Sequence, residues 1–424
     1  MRSIRQSLTY ALIPIAASLG CATASSKQTG NSPKDSQPTS SPNIHHFVTS
    51  KTVIPVDKAP MKKIAWSPDG KYFAVNSGLQ VTLYDVGSHQ VVRRLQYKHS
   101  GSSGGDISFS PDGKYLAAGN GIITLWDTTT WRFVRDIDGP YARGKFISEG
   151  AETFSFSPDS KAIAVHYESV LIPENLRADT AEQQEALSKL SGVSFSGFIN
   201  AYDINTATQI FSVKIESTYE SASIFTANLI YTPDGKYLVS ARKDFATSPR
   251  RKLTGEPFRY LTYMDFRDAR TGKIMRSIGP VHVMGITAMA VSPDGRFILT
   301  GTKTLSSENH RNEQTGKWDP IIDNRDPIRL WDVASGQLVK EFGPLRGAVV
   351  ALSFSPGGQY FASCQTDIEN RETLWFWDVK NGQLIERVKT PNSPSEFFGC
   401  AVSPDGRFAA MPVTDRIYLI GIQP

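Results

Sequence analysis

The chain has 424 residues, of which 40% are apolar, 21% charged and 10% aromatic, enough for a packed core and incompatible with global disorder. Its 46 basic and 41 acidic side chains leave a formal charge of +5, too small over this length to point to nucleic acid. Three cysteines exclude a disulfide framework or a cysteine-rich zinc module.

Residues 1–20 carry Arg2 and Arg5, then an apolar stretch over 8–19 interrupted by Pro14. That stretch is too short to span a bilayer and has the pattern of a secretory signal, removal of which lowers the charge to +3. Two cleavage readings are open. Ser18-Leu19-Gly20-Cys21 resembles a bacterial lipobox, in which Cys21 is lipidated and becomes the N-terminus; Ser18 departs from the usual branched apolar residue. Ala22-Thr23-Ala24 offers an ordinary small-x-small site instead. Residues 21–43, rich in Ser, Pro, Gln and Thr, are read as a flexible tether reaching about 25 Å. If Cys21 is lipidated, Ala22 after it implies the outer membrane by that resemblance. The expected location is therefore exported and periplasmic, with a lipid anchor as the sole membrane contact.

Residues 44–424 form a repeat. A Ser/Thr-Pro turn recurs with its proline at 68, 111, 158, 233, 293, 356 and 404. Aligned on it, Ile64, Ile107, Phe154, Leu229, Met289, Leu352 and Cys400 fill one column, and Trp66, Phe109, Phe156, Tyr231, Val291, Phe354 and Val402 another. Smaller residues stand between them, among them Ala65, Ser108, Ser155, Ala290, Ser353 and Ala401. This period-2 alternation of large and small predicts strands packed sheet on sheet. A second apolar run follows each turn. A third ends at Asp85, Asp127, Asp203, Asp268, Asp332 and Asp378, preceded by an aromatic residue except at Arg267, and a fourth run completes the unit. Four strands repeated seven times predict an all-β, seven-bladed propeller. Only six fourth strands follow in sequence, so residues 44–54 are expected to supply the seventh and close the ring, sparing it an open edge.

The Trp-Asp endings and Ser-Pro-Asp-Gly turns resemble WD40 repeats over residues 44–424. No Gly-His opens a repeat and only three units have Trp-Asp, while the Pro-Asp-Gly turn is shared with TolB-like propellers, so the subfamily stays open.

Insertions fall in one place. From each turn proline to the Asp ending strand three, the gaps are 17, 16, 45, 35, 39 and 22 residues. The extra chain therefore lies between strands two and three of blades three, four and five, and slightly six, on a single rim. Long loops on a rigid scaffold are where binding residues concentrate. In blade three, residues 173–192 are expected to form a short helix, with Asp179 and Glu182 as a capping box and Leu176 and Leu187 on its apolar stripe. Residues 168–189 carry a net −3, and residues 242–259 in blade four a net +4 from Arg242, Lys243, Arg250, Arg251, Lys252 and Arg259 against Asp244 and Glu256. These six cations with Leu176 and Leu187 are the candidate partner-binding residues. The basic patch would receive an acidic partner, or else pair with the acidic insertion beside it.

Catalytic patterns are weak. Gly101-Ser102-Ser103-Gly104-Gly105 spells Gly-x-Ser-x-Gly, but it lies in a glycine-rich connection and not at the strand-to-helix turn a nucleophile elbow needs. Asp319, Asp323 and Asp326 are hard oxygen donors without the spacing of a calcium loop. The seven histidines show no ligand spacing, and no nucleotide or cofactor motif is present. Cys364 and Cys400 are expected as buried fillers, with a bridge between neighbouring blades as the alternative. The leading expectation is a non-enzymatic, cofactor-free scaffold whose rim binds another envelope protein or a cell-wall component. The alternative is a propeller enzyme, a lactonase-like hydrolase or quinone-dependent dehydrogenase, with its site over the central channel among Lys63, Asp106, Thr153, Asn228, Ala288, Ala351 and Gly399.

Overall fold

A strand buried on both faces must be apolar at consecutive positions, because successive side chains meet opposite neighbours. The second strand of each repeat has that character, and the computed structural model places it inside a sheet packed on both sides. The structure describes residues 47–56, 63–98, 105–119, 122–137, 146–171, 194–216, 228–244, 261–282, 285–302, 327–343, 345, 348–366, 372–389, 399–413 and 416–423. They form seven antiparallel four-stranded sheets.

The chain enters through β1 (Val48–Pro55), which belongs to the last blade. Blade one is β2 to β5 (Lys63–Trp66, Tyr72–Asn76, Gln80–Asp85, Val91–Gln96), and blade two is β6 to β9 (Ile107–Phe109, Tyr115–Gly119, Ile123–Asp127, Phe133–Ile137). Blade three is β10 to β13 (Phe146–Phe156, Ala162–Leu171, Ser194–Asp203, Gln209–Glu216), and blade four is β14 to β17 (Leu229–Tyr231, Tyr237–Asp244, Leu261–Asp268, Ile274–His282). Blade five is β18 to β21 (Ala288–Val291, Phe297–Gly301, Ile328–Asp332, Leu338–Phe342), and blade six is β22 to β25 (Val349–Phe354, Tyr360–Thr366, Glu372–Asp378, Leu384–Lys389). Blade seven contains β26 to β28 (Ala401–Val402, Phe408–Val413, Arg416–Ile422), and β1 pairs antiparallel with β28 from Val48–Ile422 to Pro55–Arg416. The expected N-terminal closing strand is thus present over Val48–Pro55, and residues 44–46 of the expected range lie outside the described residues.

Seven apolar clusters lie one at each blade junction. At the junction of blades one and two, Leu83 and Leu95 meet Ile107, Phe109, Leu116 and Trp126. At the closing junction, Ile54, Ile417 and Leu419 of blade seven meet Ile64, Trp66 and Phe73 of blade one. Strand alternation assigns the sides: in β3, Phe73 and Val75 face blade seven, whereas Ala74 faces blade two. The large column of each first strand faces the preceding blade and the small column the next. The small column also bonds forward: Ser155 Oγ accepts the Tyr231 N–H at 3.2 Å, and Ser353 Oγ that of Val402 at 3.0 Å.

One face of the ring carries two sets of short turns. In Ser67-Pro68-Asp69-Gly70, the Ser67 hydroxyl donates to Asp69 Oδ1 at 2.6 Å, and Asp69 Oδ1 accepts the Lys71 N–H at 3.1 Å. Gly70 has φ +69°, a left-handed conformation in which a side chain is strained. Blade three puts Ser160 there at φ +59°, and its Oγ accepts the Asp112 N–H of blade two at 3.0 Å. Between strands three and four, Asp85, Asp127, Asp203, Asp332 and Asp378 each accept a backbone N–H three residues on, at 2.7–2.8 Å. These bonds hold the Asp85, Asp127, Asp203 and Asp332 carboxyls below the ordinary aspartate range. Among the described residues no helix is long and apolar enough to cross a membrane.

Candidate partner-binding rim

In each blade the chain turns back between strands one and two, and between strands three and four, on the short-turn face. The ends of the second strands and the starts of the third therefore lie on the opposite face. Residues 172–193 are flanked there by Leu171 paired with Ser194, and residues 245–260 by Asp244 paired with Leu261. Residues 303–326 are flanked by the end of β19 and the start of β20, which pair up to Thr300 and Arg329. Blades three and four reach further toward this face: β11 and β12 have 10 residues each and β15 and β16 have 8, against 5 and 6 in β3 and β4.

Of the candidate rim residues, Arg242 and Lys243 lie in β15, where they pair with Tyr263 and Thr262 of β16. Arg242 does not present an uncompensated charge. Its Nε donates to Asp265 Oδ2 at 2.8 Å and its Nη2 to Asp265 Oδ1 at 3.3 Å, with the guanidinium 4.8 Å above the Tyr263 ring. Asp265 is fully buried and also accepts the Ser277 hydroxyl at 2.6 Å. Arg267 Nη2 stands 3.7 Å from Asp265 Oδ2, so one buried carboxylate serves two guanidinium groups. Arg250, Arg251, Lys252, Arg259, Leu176 and Leu187 lie outside the described residues, as do the expected helix over 173–192, Cys21, and Asp319, Asp323 and Asp326.

The arginine that replaces an aromatic before Asp268 has a structural reason. Arg267 Nε donates to Ser240 Oγ at 3.0 Å, just as Trp331 Nε1 donates to Thr300 Oγ1 and Trp377 Nε1 to Ser363 Oγ at 3.0 Å. Burial of Arg267 lowers its pKa, partly offset by Asp265. His166 in blade three is part-buried, and its enclosed Nδ1 has no hydrogen-bond partner. Loss of solvent first, and then Arg267, push its pKa down to about 4. Sequence reasoning missed this network, although a carboxylate at 265 inside an apolar third strand is a visible departure.

Several positions assigned to the channel ring are taken up in joining blades. Thr153 Oγ1 donates to Asp106 Oδ2 at 2.9 Å, and Asn228 Nδ2 to the Ile286 carbonyl at 2.7 Å. Ala288 is buried in the cluster between blades five and six. Among the described residues no group of three His, Cys, Asp or Glu side chains is placed to hold a metal ion. Cys364 and Cys400 are buried in the cluster between blades six and seven and no disulfide joins them. Cys364 Sγ lies 3.8 Å from the Gly399 carbonyl oxygen, so both residues are the apolar fillers expected, and the alternative bridge does not form.

This architecture defines a seven-bladed β-propeller. Residues 93–127 and 273–308 match the family model "WD domain, G-beta repeat", each segment running from the fourth strand of one blade into the next. The sequence matches no curated protein. A chain of the "Crystal Structure of Mitotic Checkpoint Complex" shares the fold with a TM-score of 0.60 and 16% identity, over 94% of this chain and 99% of that one. The seven-bladed propeller thus includes two segments that match WD40 repeats, which are typical of protein-interaction scaffolds.

Proposed function

We propose that this protein is a non-enzymatic scaffold of the bacterial cell envelope, lipid-anchored through Cys21, whose insertion-bearing rim binds another envelope protein or a cell-wall component. The observation that carries this reading is the asymmetry of the ring. One face is built from short, internally hydrogen-bonded turns, while the strand ends flanking residues 172–193, 245–260 and 303–326 all meet on the other. A rigid ring lets such a surface bind with little reorganisation of the scaffold. Phe47, at the start of the closing strand, lies on the short-turn face beside Gln423, whose N–H donates to its carbonyl at 2.9 Å.

Replacing residues 173–192 and 246–259 by short turns is expected to abolish recovery of cross-linked partners from cells while the thermal transition stays cooperative. Unchanged recovery would overturn the rim assignment. Cys21→Ser is expected to move the protein from the membrane fraction to the soluble periplasm, and its retention in membranes would overturn the anchor.

A further inference from the structure

The short-turn face also carries an open pocket, away from the insertion rim, where blades four and five meet. Its volume is about 420 Å³, and it is lined by three cations, Lys236, Arg276 and Arg296, and three carboxylates, Asp234, Asp294 and Asp332. Balanced charge in a crevice usually means ion pairs; here one oxygen of each carboxylate is held within its own turn. Asp234 Oδ1 accepts the Thr232 hydroxyl at 2.5 Å and the Lys236 N–H at 3.0 Å; Asp294 Oδ1 accepts the Ser292 hydroxyl at 2.6 Å and the Arg296 N–H at 3.0 Å. Asp332 Oδ1 accepts both the N–H and hydroxyl of Ser335.

Each of the three cations lies over an aromatic ring. Arg276 stacks 4.3 Å from the Phe266 centroid, Lys236 Nζ stands 5.0 Å from that of Tyr237, and the Arg296 guanidinium 5.1 Å from that of Phe297. Arg276 donates to the Ala334 carbonyl at 2.8 Å through Nη1, and its buried Nε has no hydrogen-bond partner. The equivalent cations of blades one, two and seven do pair with their own turns: Lys71 with Asp69 at 3.5 Å, Lys114 with Asp112 at 3.1 Å and Arg407 with Asp405 at 3.9 Å. Among the described residues no such ion pair forms for Lys236 or Arg296.

We propose that this pocket is a second binding site that takes a mixed-charge segment of a protein partner, seating an acidic side chain on Lys236, Arg276 and Arg296 while a neighbouring basic side chain faces the aspartates. Charge complementarity selects this ligand. A purely acidic run or a phosphate dianion meets three ionised carboxylates at the same mouth, and a purely basic run meets three cations. With sites on both faces, the propeller joins two partners and does not merely hold one.

A fluorescein-labelled octapeptide of alternating glutamate and lysine, titrated by anisotropy at low salt, tests the site on the full chain. Octaglutamate, octalysine and inorganic phosphate serve as competitors. The alternating peptide is expected to bind, and Lys236→Gln with Arg296→Gln to weaken it at least about tenfold. Both side chains are exposed, so the melting temperature should not move; Arg407→Gln, on the same face in blade seven, should leave binding unchanged. Absence of binding, an equal loss with Arg407→Gln, or stronger competition by octaglutamate or phosphate would each overturn the proposal. Replacement of the rim insertions leaves this pocket intact, so failure of this site and failure of the rim are read separately.

Discussion

At the scale of single residues, the buried carboxylate of Asp265 is the most consequential group in blade four. It compensates Arg242 and Arg267 and accepts from Ser277. Asp265→Ala would leave Arg267, itself buried, beside a second cation with no counter-charge. The expected loss is about 3–5 kcal/mol in denaturant unfolding, the range seen when one partner of a buried pair is removed. Backbone strain is stored at three turns between third and fourth strands, where His89, Trp131 and Ala207 have φ between +54° and +60°. Ala207 is held at φ +58° where blades four to six have Gly272, Gly336 and Gly382 at +70° to +80°. Ala207→Gly removes that strain and is expected to stabilise by about 1 kcal/mol, measured as a higher midpoint at unchanged slope. His166 sets a pH dependence. Its folded pKa, about 4, is below the unfolded value of 6.5, so the unfolded chain takes up the proton first. Stability is therefore full above about pH 6.5 and falls as the pH drops toward 4, by on the order of 3 kcal/mol. His166→Gln should flatten the curve in that window. A wild-type curve already flat there would refute the neutral, enclosed imidazole.

At the scale of elements, the closing strand carries the most weight. β1 is distant in sequence from β28 yet supplies the fourth strand of its blade, and its two faces differ sharply: Val53 is 46% exposed and Ile54 only 5%. Ile54 packs in the cluster between blades seven and one. Ile54→Ala is expected to cost about 2–5 kcal/mol, whereas Val53→Ala should stay within about 0.5 kcal/mol. Equal effects in thermal melts would argue against the pairing register. The strand is legible in the sequence because six fourth runs cannot complete seven blades. Its start at Val48 is not, because Phe47 before it is equally β-prone. In third and fourth strands a further regularity emerges only on pairing: Thr124 with Asp136, Asp265 with Ser277, Arg329 with Glu341 and Trp375 with Arg387 stand opposite one another. Cross-strand partners are set by register, and neither member of a pair names the other.

At the scale of the whole molecule, seven junctions of similar make-up hold the ring together, and the apolar residues are divided among them. Each blade therefore depends on its neighbours, and the ring on its closure. The two faces divide the work: short turns with internally satisfied aspartates on one, the strand ends that carry the long insertions on the other. By itself the sequence determined the blade number, the strand count, the turn positions and the rim that bears the insertions. These follow from periodic patterns and gap lengths, which are local properties. Only the tertiary structure decided that Arg242 is compensated by Asp265, that Arg267 takes over the bond a tryptophan makes in blades five and six, that Cys364 and Cys400 stay unbridged, and that Lys236 and Arg296 form no ion pair with the acids of their own turns. The physical reason is common to all four. Charge pairing and burial depend on distances between side chains on different strands and blades, and no spacing along the chain encodes those distances.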